Sequence, residues 1–275
     1  MKNIFVWIIN KNGGYKFKYI DNQERIYNYL RLQIHNSIEM GWKKEDIIPI
    51  TNFEFDHMGV KANVFADKIC DWSSFANRMV VVNHFIKEGL IEEDFWIHDL
   101  DAYQLLPFVF PKECKDVGFC RHAVGRNKPQ GASAFYRKTA FDIIEAKATL
   151  IKLFKPKQEE SFFPVIYNKK LGQEKANKYR AKYGDIVDHF GKYENRFCFL
   201  DFTYNLCQQR MFDRKYPLAE KPIKVVHFKL EDKSTLNCFY KGLNKFSVRI
   251  VDERLANLFF KYNLVNEKDR VPYGN

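Results

Sequence analysis

Long apolar runs are missing from this chain. No stretch approaches the roughly 18 residues that a membrane-spanning helix needs. The run over residues 4–9 has six apolar residues behind one Lys. That is shorter than the ~7–15-residue core of a signal peptide, and no small-residue cleavage site follows it. Cysteine is sparse: six residues (Cys70, Cys114, Cys120, Cys198, Cys207 and Cys238) with no Cys-x-x-Cys pair. This spacing excludes a zinc knuckle and a disulfide framework. Internal repeats, low-complexity tracts and helix-turn-helix or zinc modules are also absent. These absences lead to the expectation of a reduced, soluble, cytoplasmic protein with no membrane span, folded as one domain over residues 1–275.

Acidic residues are in short supply, 34 against 45 Lys and Arg, for a formal charge of +11. The excess favours a polyanionic partner such as nucleic acid, an anionic membrane surface or a phosphorylated ligand. A Lys-, Asn-, Ile-, Phe- and Tyr-rich composition is equally what an AT-rich genome produces. Apolar residues at 46% and 275 residues of length suffice for a continuous buried core. Aromatics are plentiful, with 26 Phe and 15 Tyr.

The first half alternates strand and helix signals. Residues 2–10 form an apolar run closed by Asn12-Gly13-Gly14. Asp21 can cap a helix over 23–40 with Ile26, Leu30 and Ile34 on one face, stopped by Gly41. A short strand fits 46–52, a helix fits 73–88 from a Ser73 cap to Gly89, and a third strand fits 94–98. This order predicts an α/β, Rossmann-like fold with a mostly parallel central sheet flanked by helices, whose ligands sit outside the carboxyl ends of the strands. The second half is less regular. Strands are expected over 117–122, 132–137 and 224–228, and helices over 139–154 and 197–211. A charged loop over 155–160 leads into a Lys- and Tyr-rich excursion extending to 193.

Asp99-x-Asp101 is the sharpest local feature. Carboxylates two apart at a strand end can turn oxygens toward one hard cation, Mn²⁺ or Mg²⁺. Such a cation binds diphosphate oxygens and neutralises the charge that builds on them as a leaving group. A solvated turn after a strand gives the same pattern. Here the pair ends the third strand of an α/β alternation.

With that context the chain resembles nucleotide-sugar-dependent glycosyltransferases of the GT-A fold. Phe95-Trp96-Ile97-His98-Asp99-Leu100-Asp101-Ala102-Tyr103 has the family's form of an apolar strand followed by Asp-x-Asp. Gly131-Ala132-Ser133-Ala134-Phe135-Tyr136-Arg137 is similar to the family's small-residue segment beside sugar and acceptor. Val225-Val226-His227-Phe228 is similar to the late strand whose His supplies a further metal ligand. The likeness spans roughly residues 1–230. It implies a hexosyl- or pentosyltransferase using a nucleotide sugar, a UDP-sugar first among them. Residues 1–110 would form the donor half and 111–275 the acceptor half.

The resemblance also suggests individual roles. A neutral imidazole at His227 suits Mn²⁺; a core His bonded to a carbonyl is the alternative. His98 is expected on the side opposite Asp99, in a structural role. An inverting enzyme needs a base for the acceptor hydroxyl. Asp201 is the candidate and Glu194 the second, with helix capping the competing role for Asp201. Asn10, at the end of the first strand, is placed against the base or ribose. Arg78 and Lys68 are placed against the pyrophosphate, Arg78 the better because it interrupts an apolar stretch. Trp72 either stacks on a base or packs.

Basic stretches over 112–137 and 155–192 interleave Lys and Arg with aromatics, as nonspecific nucleic-acid binders do. Combined with the resemblance, they suggest DNA bearing a hydroxylated base as acceptor, as in glycosyltransferases of DNA viruses; a base in a duplex would have to flip out. A glycan or protein acceptor is the alternative. Outside this family, two readings compete. One is a nucleotidyltransferase using the Gly13-Gly14 turn and Lys16 for phosphate. The other is a non-catalytic nucleic-acid-binding protein.

Overall fold

The computed structural model describes residues 1–9, 23–65, 70–123, 126–157, 159, 177–178, 191–207, 222–227 and 252–264. In chain order these form β1 (Lys2–Trp7), α1 (Gln23–Glu39), β2 (Ile47–Thr51), β3 (Asp56–His57), β4 (Val60–Lys61) and β5 (Asn63–Val64). Next come α2 (Asn77–Lys87), β6 (Phe95–His98), β7 (Ala102–Gln104), β8 (Val117–Ala123), β9 (Arg126–Tyr136) and α3 (Phe141–Phe154). The remaining elements are β10 (Phe197–Leu200), β11 (Leu206–Cys207), β12 (Val225–His227) and α4 (Glu253–Lys261).

The sheet has seven strands in the order β10-β8-β9-β6-β1-β2-β5. Every pairing in it is parallel except the two made by β9. This is the expected α/β architecture. β1 is buried on both faces: Ile4 packs under α2 and α3, while its neighbour Phe5 packs under α1 and α4. A strand covered on both sides has no polar face to show, so its sequence is a continuous apolar run. Gly41 and Gly89 follow α1 and α2 with φ of +89° and +73°, the left-handed conformation in which helices commonly stop.

From β1 the chain fills one flank of the sheet with β2 and β5. It then crosses through α2 to place β6 on β1's other side. The order reverses between β1 and β6, and in open α/β sheets the crevice at such a switch point is where ligands bind. The loop after β6 carries Asp99 and Asp101. A second, three-stranded sheet, β11-β12-β7, stands beside it.

Three expectations need correction. No helix runs from 197 through 207. Phe197–Leu200 pairs in parallel with Val117–Cys120, a short 3-10 turn covers Phe202–Tyr204, and β11 follows. A short apolar run rich in Phe satisfies either period, and here the open edge of β8 decides for strand. Ser73 caps no helix, because its hydroxyl donates to Lys157 O at 2.6 Å; α2 starts at Asn77 after a 3-10 turn over Ser74–Ala76. The strand expected at 132–137 extends back to Arg126. Asp21, the Gly13-Gly14 turn with Lys16, and most of the 155–193 excursion lie outside the described residues.

Gly118 is closely packed on the sheet's far flank. A Cβ there would stand 2.8 Å from Cys114 Sγ and 3.0 Å from Leu200 Cδ1. Overpacking a core by a methyl costs typically 1–3 kcal/mol, so Gly118→Ala is expected to destabilise the fold by about that amount in denaturant titrations. An unchanged midpoint would mean that β10 sits less closely on β8 than described.

Candidate active site

The turn after β6 is pinned from three sides. Asp99 N donates to Ala132 O of β9 at 2.8 Å, and Ala102 N closes back on Asp99 O at 3.0 Å. From α1, the buried amide of Gln33 donates to Leu100 O at 2.7 Å and Ala102 O at 3.0 Å, bracketing Asp101. Both carbonyls are thereby satisfied out of water. The two carboxylates are thus presented by a fixed turn rather than a loose loop.

His227 reaches this turn because β12 pairs antiparallel with β7, placing it opposite Ala102. Its Nε2 lies 3.2 Å from Asp101 Oδ1, and its Nδ1 lies 3.3 Å from Gln130 Nε2. Asp99, Asp101 and His227 each offer a ligand atom, and these atoms lie within 4.8 Å of one another. Among the described residues this is the one group of three or more His, Cys, Asp or Glu so arranged. Two carboxylates and an imidazole form a donor set suited to a divalent cation such as Mn²⁺. The Asp101 side chain is 13% exposed and the His227 side chain 12%, whereas the Asp99 side chain is 42% exposed.

Behind Asp99 lies an ion cluster. Arg78 of α2 donates through Nη1 to Asp99 Oδ1 at 2.5 Å, through Nη2 to Gly131 O at 2.8 Å, and through Nε to Glu159 Oε1 at 3.0 Å. Its Nη2 also pairs with Glu159. Lys147 of α3 lies 3.6 Å from Glu159 Oε1, with its side chain 2% exposed. Burial opposes the charge on Arg78, but Glu159 and then Asp99 hold its pKa above the usual value. Arg78 and Lys147 balance Glu159 and Asp99, so Asp101 is the surplus negative charge of the cluster. A carboxylate has about four lone-pair sites, so one guanidinium contact does not exhaust Asp99.

His98 is fully buried between the rings of Phe5 and Trp96, with Nε2 2.9 Å from Asn3 Oδ1 and Nδ1 2.9 Å from Asp99 O. It props the turn from behind and does not join the carboxylates. Asp201 follows β10 at the same carboxyl edge of the sheet. Its Oδ1 accepts from Thr203 N at 2.9 Å, so it caps the 3-10 turn. Trp72 packs, donating to Pro156 O at 3.0 Å. Asn10 and Lys68 lie outside the described residues, as does the side chain of Glu194.

Three of the cations counted toward a polyanion surface are engaged within the fold. Arg121 lies 4.6 Å over Phe199, Arg137 lies 4.3 Å over Phe110 and pairs with Asp94, and Lys155 lies 5.5 Å over Trp72. Among the described residues no helix is long and apolar enough to cross a membrane.

Fold and site together define an α/β protein with a two-carboxylate, one-imidazole cluster at its switch point. No family model matches the chain, and no curated protein sequence matches it. Similar solved structures include a glycosyltransferase involved in glycosylation of the major capsid of PBCV-1, at 12% identity, 82% of this chain, 93% of that chain and a TM-score of 0.43. Another is the galactosyltransferase LgtC in complex with donor and acceptor sugar analogues, at 11% identity, 98% of both chains and a TM-score of 0.48. A third is the glycosyltransferase GlyE of Streptococcus pneumoniae TIGR4, at 12% identity, 96% of this chain, 61% of that chain and a TM-score of 0.44.

Proposed function

We propose that this protein is a metal-dependent glycosyltransferase that moves a sugar from a nucleoside diphosphate sugar, a UDP-sugar first among the donors, to a hydroxyl acceptor. The observation that carries the reading is the convergence of Asp99, Asp101 and His227 at the switch-point end of the sheet. Their residue types fit a divalent cation, Mn²⁺ before Mg²⁺ because of the imidazole. When bound there, the cation supplies charge neutralisation for the departing diphosphate.

The chain's own residues do the rest. Gln33 and Ala132 fix the turn that aims Asp99 and Asp101. Arg78, held between Glu159 and Asp99, orients the Asp99 carboxylate. The acceptor oxygen attacks the anomeric carbon, the bond from that carbon to the diphosphate oxygen breaks, and the nucleoside diphosphate leaves. In an inverting transfer the acceptor proton passes to the Asp201 carboxylate; a retaining transfer needs no base at that position. Residues 1–110 form the donor half and 111–275 the acceptor half.

A thermal-shift panel of nucleotide sugars with and without Mn²⁺ tests this reading. A ligand bound only by the folded state at a hundred times its Kd adds about 2.7 kcal/mol, or roughly 5–10 °C in Tm for a chain of this size. One donor is expected to give such a shift only with Mn²⁺. Turnover with glycan, protein and hydroxylated-DNA acceptors should release nucleoside diphosphate. Release of pyrophosphate would instead mean nucleotidyl transfer. A shift with DNA alone, and with no donor, would sink the proposal in favour of a nucleic-acid-binding protein.

A further inference from the structure

The amide of Gln130 is mismatched with its surroundings. Gln130 lies in β9 and is 8% exposed. Its Nε2 stands 3.3 Å from His227 Nδ1, while its Oε1 is buried with no hydrogen-bond partner among the described residues. Across the ring, His227 Nε2 stands 3.2 Å from Asp101 Oδ1. With the amide in this orientation only one neutral tautomer fits. The amide N–H donates to Nδ1, so the ring proton sits on Nε2 and donates to Asp101. That ring cannot ligate a cation through Nε2, because the lone pair there is replaced by N–H, and a buried amide oxygen is left stranded.

Turning the amide by 180° reverses both features. Oε1 then accepts from Nδ1–H, and the Nε2 lone pair faces the carboxylates of Asp99 and Asp101. Histidines that bind metals usually donate their other ring N–H to such an oxygen, which fixes both tautomer and ring orientation. We propose that Gln130 is a positioning residue that sets the tautomer of His227: its amide oxygen accepts from Nδ1–H, so that the Nε2 lone pair is free to ligate a divalent cation between Asp99, Asp101 and His227. This rests on the metal site of the proposed function, and it adds the residue that decides whether His227 is a proton donor or a ligand. Gln130 touches the imidazole and acts through it.

The test reads Mn²⁺ binding by the protein alone, with no donor, from the electron paramagnetic resonance signal of free Mn²⁺. Gln130→Leu keeps the size but cannot accept, and is expected to weaken Mn²⁺ binding 10- to 100-fold. Gln130→Glu can only accept, and is expected to bind within about threefold of the parent, because it supplies the oxygen the turned amide would supply. Equal affinity for all three proteins overturns the inference. A second readout follows the ring: with diamagnetic Zn²⁺, ¹⁵N shifts of His227 should place the proton on Nδ1 in the parent and in Gln130→Glu. A ring proton on Nε2 in the parent with Zn²⁺ also overturns it. If the parent binds no Mn²⁺, or Asp101→Ala binds it as tightly as the parent, the metal site itself fails and the inference goes with it. Binding by the parent that is lost in Asp101→Ala but intact in Gln130→Leu defeats the Gln130 role alone.

Discussion

Asp101→Ala is expected to reduce sugar transfer by on the order of a thousandfold or more while leaving the protein folded. Asp101 holds the surplus negative charge of the cluster and is hydrogen-bonded to the ring of His227. A divalent cation at a departing diphosphate supplies several kcal/mol of stabilisation, and each 1.36 kcal/mol is a factor of ten in rate. Losing one of two carboxylate ligands also weakens cation binding, so raising Mn²⁺ should restore only part of the rate. The stability change should be small, because the substitution also relieves the repulsion between Asp101 and Asp99. Transfer rates in varied Mn²⁺, with a thermal melt of each protein, separate the two effects. Turnover by the variant at the parent's rate, in chelator, would sink the metal-dependent mechanism.

The largest effect on stability is expected at Glu159, away from the reacting groups. Its carboxyl is 4% exposed and carries both Arg78 and Lys147. Removing one partner of a buried ion cluster strands the others without compensation, which costs about 3–5 kcal/mol. That is a large share of the 5–15 kcal/mol typical of a folded domain, so Glu159→Ala should lower the denaturation midpoint sharply. A loss below about 1 kcal/mol would mean that the cluster contributes little. Acid sensitivity provides a second test. Burial pushes the Glu159 carboxyl up, but Arg78 and then Lys147 outweigh it and hold it below its usual 4.5. A carboxyl with a lowered native pKa contributes stability that is fully present above the unfolded value and is lost as pH falls through the native one. Below about pH 4.5 the parent should therefore lose stability more steeply than Glu159→Gln, which has no carboxyl to titrate at that position.

The sequence made the N-terminal half of the sheet legible because its elements obey clear periods. β1, β2 and β6 are short apolar runs, α1 and α2 are closed by glycines, and a strand ending in two acids located the centre of the site. His227 was legible as the end of a short β-branched strand. The polar residues that build the site's surroundings were not. Gln33 meets Leu100 from 67 residues away, Gln130 meets His227 from 97 away, and Arg78 meets Glu159 from 81 away. No local pattern encodes such meetings; they exist only once the sheet order is set. Glu159 is the clearest case: within Lys157-Gln158-Glu159-Glu160 it reads as a solvated acid, and its burial comes from Arg78 and Lys147. Asp201 suits either a base or a cap by its sequence context, and its carboxylate accepts from Thr203 N as a cap does. The expectation omits α4, although Asp252 at its cap and Leu255, Leu258 and Phe259 at helical spacing were readable signals.

The placement of β12 has a consequence for how the molecule comes into being. All seven strands of the main sheet have left the ribosome once residue 200 has emerged, and the two aspartates are then already held by α1 and β9. The imidazole arrives only with residues 225–227, on a strand belonging to the smaller sheet. A nascent chain can therefore pair its main sheet before the histidine, and the α4 helix that covers the Phe5 face, have emerged. A chain stalled short of the histidine would hold the two aspartates without the imidazole and would leave the sheet face beneath α4 uncovered.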